Sequence, residues 1–430
     1  MRISTSMIFA AGVADINRQM ADTVKLQQQI AAKKRIINPS DDPVAAAQAL
    51  QVQQAKDTND QYATNIKYAN SALGLESGYL SNVNDVFGRL KELVVQAGDG
   101  TLTPSQRSGI AVELRARFDG LLAIANSKDA SGQYIFSGYM GDTTPFTGTV
   151  DTGVKYQGDD GQRQLQISAS HLIATSDSGQ EVFGRIPNGN GTFSATYGSN
   201  LALPPPFPLP APPLPPNIGT GSVGGTTVTD PAVWKAPTSG SYSIQFSVSG
   251  GVTTYQIYDG ATPLLATPGA YTSGQSIELQ KTTAPAVDFG ASVTVTGTPA
   301  NGDTFVVSPS TSQSLFATLA NLIHAVEGTG TTAADVARYQ TDVKNAGIDL
   351  ENARVNIVQA DAALGGRMNE VDTVSSINSS VDLQYQQTLS NLQDLDMVKA
   401  LTDLTSKQTQ LDAAQKSFVS TSKLSLFNYL

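Results

Sequence analysis

Residues 336–374 read VARYQTDVKNAGIDLENARVNIVQADAALGGRMNEVDTV. Val336, Val343, Leu350, Ile357, Leu364 and Val371 recur every seventh residue. Tyr339, Ala346, Ala353, Ala360 and Val374 supply the companion row, with Arg367 its one misfit. A ladder of this length predicts one long helix with a buried seam. Taken over residues 332–381, it would span roughly 75 Å at 1.5 Å per residue.

Outward toward the C-terminus the phase shifts. Met397, Leu401, Leu404, Leu411 and Phe418 lie on a second seam, with Gln408 and Gln415 in its gaps. The slip falls within residues 384–396 and predicts a boundary between two helical regions. Residues 314–326, on the N-terminal side of the long ladder, read as a separate short helix.

The N-terminal side mirrors this order. Phe9, Val13, Ile16, Met20, Ile30 and Ile37 form a sparse ladder interrupted at Thr23, Gln27 and Lys34. Asn38-Pro39-Ser40-Asp41-Asp42-Pro43 then breaks the helix and starts another. Pro39 disfavours helix at Asn38, Asp42 is a good N-cap, and Pro43 suits the first helical turn. The following seam runs Ile66, Ala69, Leu73, Leu80, Val83, Phe87, Leu90 and Val94, interrupted at Glu76. Gly98-Asp99-Gly100 ends it. Thr103-Pro104 opens a further helix with Ile110, Leu114, Phe118, Leu121 and Ala125 on one face, and the short loop predicts an antiparallel pair.

Between the helical blocks, residues 131–309 are rich in Gly, Thr, Ser and Pro. Residues 241–248 alternate polar and apolar, and residues 252–258 follow across Ser249-Gly250-Gly251, the pattern of a hairpin. Residues 293–295 and 304–307 read as further strands. Residues 203–216, with nine prolines, read as a stiff polyproline II spacer between two β lobes.

The fold class expected is therefore α+β, with discontinuous N- and C-terminal helical coiled-coil or bundle domains and a projecting all-β insertion. Residues 1–43 with 385–430 form a terminal coiled-coil assembly domain, 44–140 with 310–384 a helical bundle, and 141–309 a β-rich outer domain of two lobes joined by linker 203–216.

Composition narrows the function. The 430 residues carry a formal net charge of −10, which repels phosphate backbones and argues against nucleic acid as a partner. There is no cysteine, so thiolate chemistry and Cys-based metal sites are excluded. The N-terminus lacks the long apolar core of a secretory signal, and no stretch has membrane-spanning length. Export, if it occurs, needs another route. His171 and His324 are the only histidines, and no metalloprotease, P-loop or nucleophile-elbow pattern occurs. Asp41-Asp42 and Asp159-Asp160 read as cap and turn residues. No catalytic residue, metal site or cofactor is expected.

Several segments carry a resemblance. Met1-Arg2-Ile3-Ser4-Thr5-Ser6-Met7, Arg35-Ile36-Ile37-Asn38-Pro39-Ser40-Asp41-Asp42-Pro43-Val44-Ala45-Ala46 and Ser425-Leu426-Phe427-Asn428-Tyr429-Leu430 resemble the two ends of the hook-associated protein type 3 family. Gln133-Tyr134-Ile135-Phe136-Ser137-Gly138-Tyr139 with Thr144-Pro145-Phe146 resembles its helix-to-β junction. Flagellins carry a similar early motif without the Asn-Pro-Ser-Asp-Asp-Pro form. The resemblance implies a structural, non-enzymatic subunit of the bacterial flagellum that joins hook to filament. It implies secretion by type III export and a place at the hook–filament junction. The implied partners are copies of itself in a ring, the hook-side hook-associated protein type 1, flagellin, and an export chaperone at the C-terminal helix, with no membrane insertion. Assembly would use Phe9, Val13, Ile16, Met20, Leu401, Leu404, Leu411, Phe418, Leu426 and Phe427, and the family motif is Arg35, Asn38, Pro39, Ser40, Asp41, Asp42 and Pro43. Flagellin itself is the alternative reading; an extracellular coiled-coil adhesin is the rival from another class.

Overall fold

The computed structural model describes residues 5–198, 216–328 and 330–427. The chain forms two compact units, one of residues 1–67, 166–171 and 372–430, the other of 68–165 and 172–371. Among the described residues the α-helices are α1 (Thr5–Ala32), α2 (Pro43–Ala97), α3 (Pro104–Ala125), α4 (Leu315–Glu327), α5 (Ala333–Gln393) and α6 (Met397–Phe427). The strands in chain order are β1 (Phe146–Thr149), β2 (Gly153–Tyr156), β3 (Gln164–Ser168), β4 (His171–Ala174), β5 (Ile186–Pro187), β6 (Phe193–Tyr197), β7 (Ser222–Val228) and β8 (Tyr242–Ser249). They continue with β9 (Val252–Asp259), β10 (Thr262–Pro263), β11 (Gly269–Ala270), β12 (Ser276–Lys281), β13 (Val287–Thr296), β14 (Thr304–Pro309) and β15 (Ser312–Gln313).

The larger unit is built on the helical seams. Val343, Leu350, Ile357, Leu364 and Val371 are buried, as are Leu73, Leu80, Val83, Phe87 and Leu90 of α2. All five apolar positions expected on α3 are buried against them. Thr103 closes a capping box with Gln106, and Pro104 follows it inside the first turn. Ser314 caps α4 through the Ala317 N–H. The Tyr339 hydroxyl donates to the Ala97 carbonyl at 2.5 Å, satisfying an orphan acceptor at the end of α2.

β3 and β4 pair with each other, and most of the other described strands divide between two buried cores. Phe146 of β1 and Ile186 of β5 belong to the helical core, where Phe146, Phe183 and Phe316 meet with ring centroids 5.1–6.3 Å apart. The second group has its own core. The order β10-β9-β8-β14-β6, with β11 also on β9, faces β12-β13-β7, and Ile244, Phe246, Ile277, Val293 and Phe305 fill the space between. The expected hairpin is β8–β9: Ser249 pairs with Val252 across Gly250 and Gly251, whose φ of 58° and 78° suit a two-residue turn of the primed type.

Two expectations are modified. The proline run lies outside the described residues up to position 215. Strands on both sides of it, β6 and β7, share one buried cluster. The strand groups therefore divide between β5 and β6 rather than at the run. Glu76, read as an interruption of the α2 seam, is fully buried on it, and Arg367, the misfit of α5, pairs with the Asp177 carboxylate.

A second stripe, polar in character, runs along α5. Arg338, Asp342, Asn345, Asp349, Asn352 and Asn356 follow the same alternating four-three spacing as the apolar seam, on another face. They bind the β-rich part, almost wholly at its main chain. Arg338 donates to Asn217 O at 2.6 Å, Asn345 to Ala195 O at 2.9 Å, and Asn352 to Pro187 O and Gly189 O at 2.9 and 2.8 Å. Asn356 donates to Glu181 O and Val182 O, Asp349 accepts from Gly189 N–H at 2.7 Å, and Asp342 accepts from the Tyr197 hydroxyl at 3.1 Å. One helix thus carries an apolar ladder for helices and a polar ladder for strands.

Candidate assembly interface

The family-motif residues form a corner in the smaller unit. α1 ends with Lys33 in the left-handed region at φ 55°, and the Lys34 N–H reaches back to Gln29 O at 3.1 Å. This is the helix-ending pattern in which the residue after the helix takes positive φ. The chain then bridges to the break between α5 and α6. Arg35 N–H donates to Gln393 O at 2.7 Å and Leu395 N–H to Lys33 O at 3.2 Å. The Arg35 guanidinium spans both breaks, donating to Leu392 O at 2.8 Å and to Asp42 at 3.1 Å.

The two adjacent carboxylates divide the remaining work. Asp42 accepts the Ala45 N–H at 3.0 Å and so caps α2. Asp41 accepts the Ile37 and Asn38 N–H groups at 3.1 and 3.0 Å and pairs with Lys25 at 2.8 Å. The Lys25 bond, then the two N–H groups, hold the Asp41 carboxyl at about 2. Asp42 is likewise lowered, first by Ala45 N–H and then by Arg35. The motif is a joint at which two helix breaks, 357 residues apart in sequence, fasten each other.

Beyond the joint, α1 and α6 pack side by side in antiparallel register. The rings of Phe9 and Phe418 stand 4.8 Å apart, and Lys407 pairs with Asp22 at 2.7 Å. Gly12 permits this approach: a Cβ there would lie 2.8 Å from the Phe418 ring. Lower on the pair, Thr23 and Ala400 are buried.

The structure splits the expected assembly residues into two sets. Ile16, Leu404, Leu411 and Phe418 are half-buried. Phe9, Val13, Met20 and Leu401 are exposed, Met20 at 55% and Leu401 at 51%. The side chains of Leu426 and Phe427 lie outside the described ones. Val24, Val398 and Val419 join the exposed set, Val398 at 78%. They were missed because they stand off the seven-residue row and carry no spacing signal. After pairing, the two helices therefore still present an apolar surface to solvent. Among the described residues no helix is long and apolar enough to cross a membrane, and no group of three or more His, Asp or Glu could hold a metal ion.

Residues 3–140 match the bacterial flagellin N-terminal helical region. The chain is homologous to flagellar hook-associated protein 3. The protein of that name from Salmonella typhimurium is 35% identical over 186 residues, 43% of this chain and 58% of that protein. The match thus spans under two thirds of the relative's length. The flagellar filament 41 kDa core protein of Borreliella burgdorferi is 28% identical over 134 residues, 31% of this chain and 39% of that protein. Among solved structures, the flagellar junction protein FlgL from Legionella pneumophila superposes with a TM-score of 0.67 at 29% identity, covering 81% of this chain and 100% of that one.

Proposed function

We propose that this chain is a structural subunit of the bacterial flagellum that joins hook to filament and assembles through its terminal helices. One observation carries the reading. The α1–α6 pair, held by the motif joint, keeps Phe9, Met20, Val398, Leu401 and Val419 exposed after it has formed. Such a surface gains by burial against neighbours, at about 25 cal/mol per Å² of apolar area. The homology to hook-associated protein 3, over a longer stretch and at higher identity than to the filament core protein, favours the junction over the filament itself.

In this reading residues 1–43 with 385–430 are the assembly domain, 44–140 with 310–384 the helical frame and 141–309 the outer domain. Copies of the chain form a ring between the hook-side hook-associated protein type 1 and flagellin. The subunit is secreted by the flagellar export route, and a chaperone shields α6 on the way. The role is structural and involves no reaction. Antibody labelling of isolated flagella tests it: a band at the hook–filament boundary supports the junction, whereas label along the whole filament supports flagellin.

A further inference from the structure

Three of the groups that dock the β-rich part on its helical frame are carboxyls. Glu76 of α2 is fully buried; its Oε1 accepts the Asp177 N–H at 3.1 Å, and its Oε2 has no hydrogen-bond partner. Asp349 accepts the Gly189 N–H at 2.7 Å, and Asp342 the Tyr197 hydroxyl at 3.1 Å. The two aspartates stand one heptad apart in the wall of a crevice of about 610 Å³ between β6, α4 and α5. All three join a helix to the segments that lead into or form β5 and β6.

Their charged surroundings do not neutralise them. Glu76 faces the Asp177 carboxylate, which is itself paired with Arg367, and Arg163 also lies within electrostatic reach. Asp342 has Arg338 one turn away on its own helix, but that guanidinium is bound to Asp335 and Asn217 O. The α4 wall of the crevice contributes His324, and Asp349 lies one heptad further along α5. A buried carboxylate without a matched cation is costly, whereas the neutral acid is not.

We infer that the helical frame holds the β-rich part through a carboxylic-acid clasp, Glu76, Asp342 and Asp349, that is firm in mild acid and loosens as the medium turns alkaline.

Burial raises all three groups, Glu76 to about 8 and Asp342 to about 6, with Asp349 moved in the same direction. A carboxyl that binds its proton more tightly when docked contributes fully below its free value. The contribution is lost as pH rises through the docked value. Asp342 therefore acts from near pH 4 to pH 6, and Glu76 over a window reaching pH 8. Two pH units in one group correspond to a change on the order of a hundredfold in the opening equilibrium. Above those values Glu76 and Asp177 are like charges sharing one seam.

Hydrogen exchange of the full chain at pH 5 and pH 8.5, scaled for the intrinsic pH dependence of exchange, tests the clasp. Peptides containing Asp177, Gly189 and Tyr197 should lose at least about tenfold in protection at pH 8.5 relative to peptides from β12 and β13. In the isosteric variant E76Q/D342N/D349N the ratio should be the same at both values. Should that variant not fold, D342N alone must reduce the change between pH 5 and pH 7. Unchanged protection in the wild-type chain contradicts the inference. So does a full wild-type pH response in either variant, which would move the effect to a group outside the clasp.

Discussion

Asp41 shows how much one side chain contributes to the joint. It closes a turn on the Ile37 and Asn38 N–H groups and holds Lys25 from the preceding helix. Its carboxyl is lowered to about 2, so its stabilisation is present above the ordinary aspartate value and is lost as pH falls through 2. Acidification from pH 4 to pH 2 should speed exchange of the Ile37 and Asn38 amides ahead of those in α3, and Asp41→Asn should remove that difference. Leu350 makes the corresponding point for the core. It is buried on the α5 seam, and Leu350→Asp should cost several kcal/mol, enough to take most of the stability of a domain. A thermal melt that hardly moves would exclude Leu350 from the packed seam. Single residues were legible where their chemistry is local. Asp42 beside Pro43 announces a helix start whatever surrounds it. Glu76 was not legible, because a glutamate at a seam position is indistinguishable in sequence from a break in the seam until its partner Asp177, 101 residues on, is known.

At the scale of elements, the strength of each seam tracks its density of large apolar residues. The α5 ladder has an apolar residue at almost every seam position and is buried at Val343, Leu350, Ile357, Leu364 and Val371. The α1 and α6 ladders are interrupted by Gln and Thr, and their apolar positions are half-buried or exposed. Periodicity therefore located the helices, and the slip at residues 384–396 located the break between α5 and α6. The polar ladder of α5 escaped notice because Asn, Asp and Arg on a helix read as a solvated face. Only the placement of β5 and β6 main chain opposite them reveals a docking face. A chain ending at Lys407 follows from this division. It removes Leu411 and Phe418 from the α1–α6 pair and nothing from the larger unit. Calorimetry should retain the main cooperative transition, while exchange in the first half of α1 quickens. Collapse of that transition would mean that α6 supports the core.

On the scale of the whole molecule, both ends of the chain meet in one unit, and the β-rich residues lie between them in sequence. That order was legible, since two helical blocks flank a segment of different composition. The strand pairing within the β-rich part was not, because short alternating runs specify faces and leave partners open. The central claim is that the apolar surface left on the α1–α6 pair joins subunits to their neighbours. The most direct measurement is the fraction of hooks bearing filaments, counted by electron microscopy, in a strain carrying Val398→Ser, Leu401→Ser and Val419→Ser. These exposed positions contribute little to the folded monomer, so secretion and thermal melting should match the wild type while filaments detach or fail to form. Hooks bearing filaments at the wild-type frequency would contradict the account.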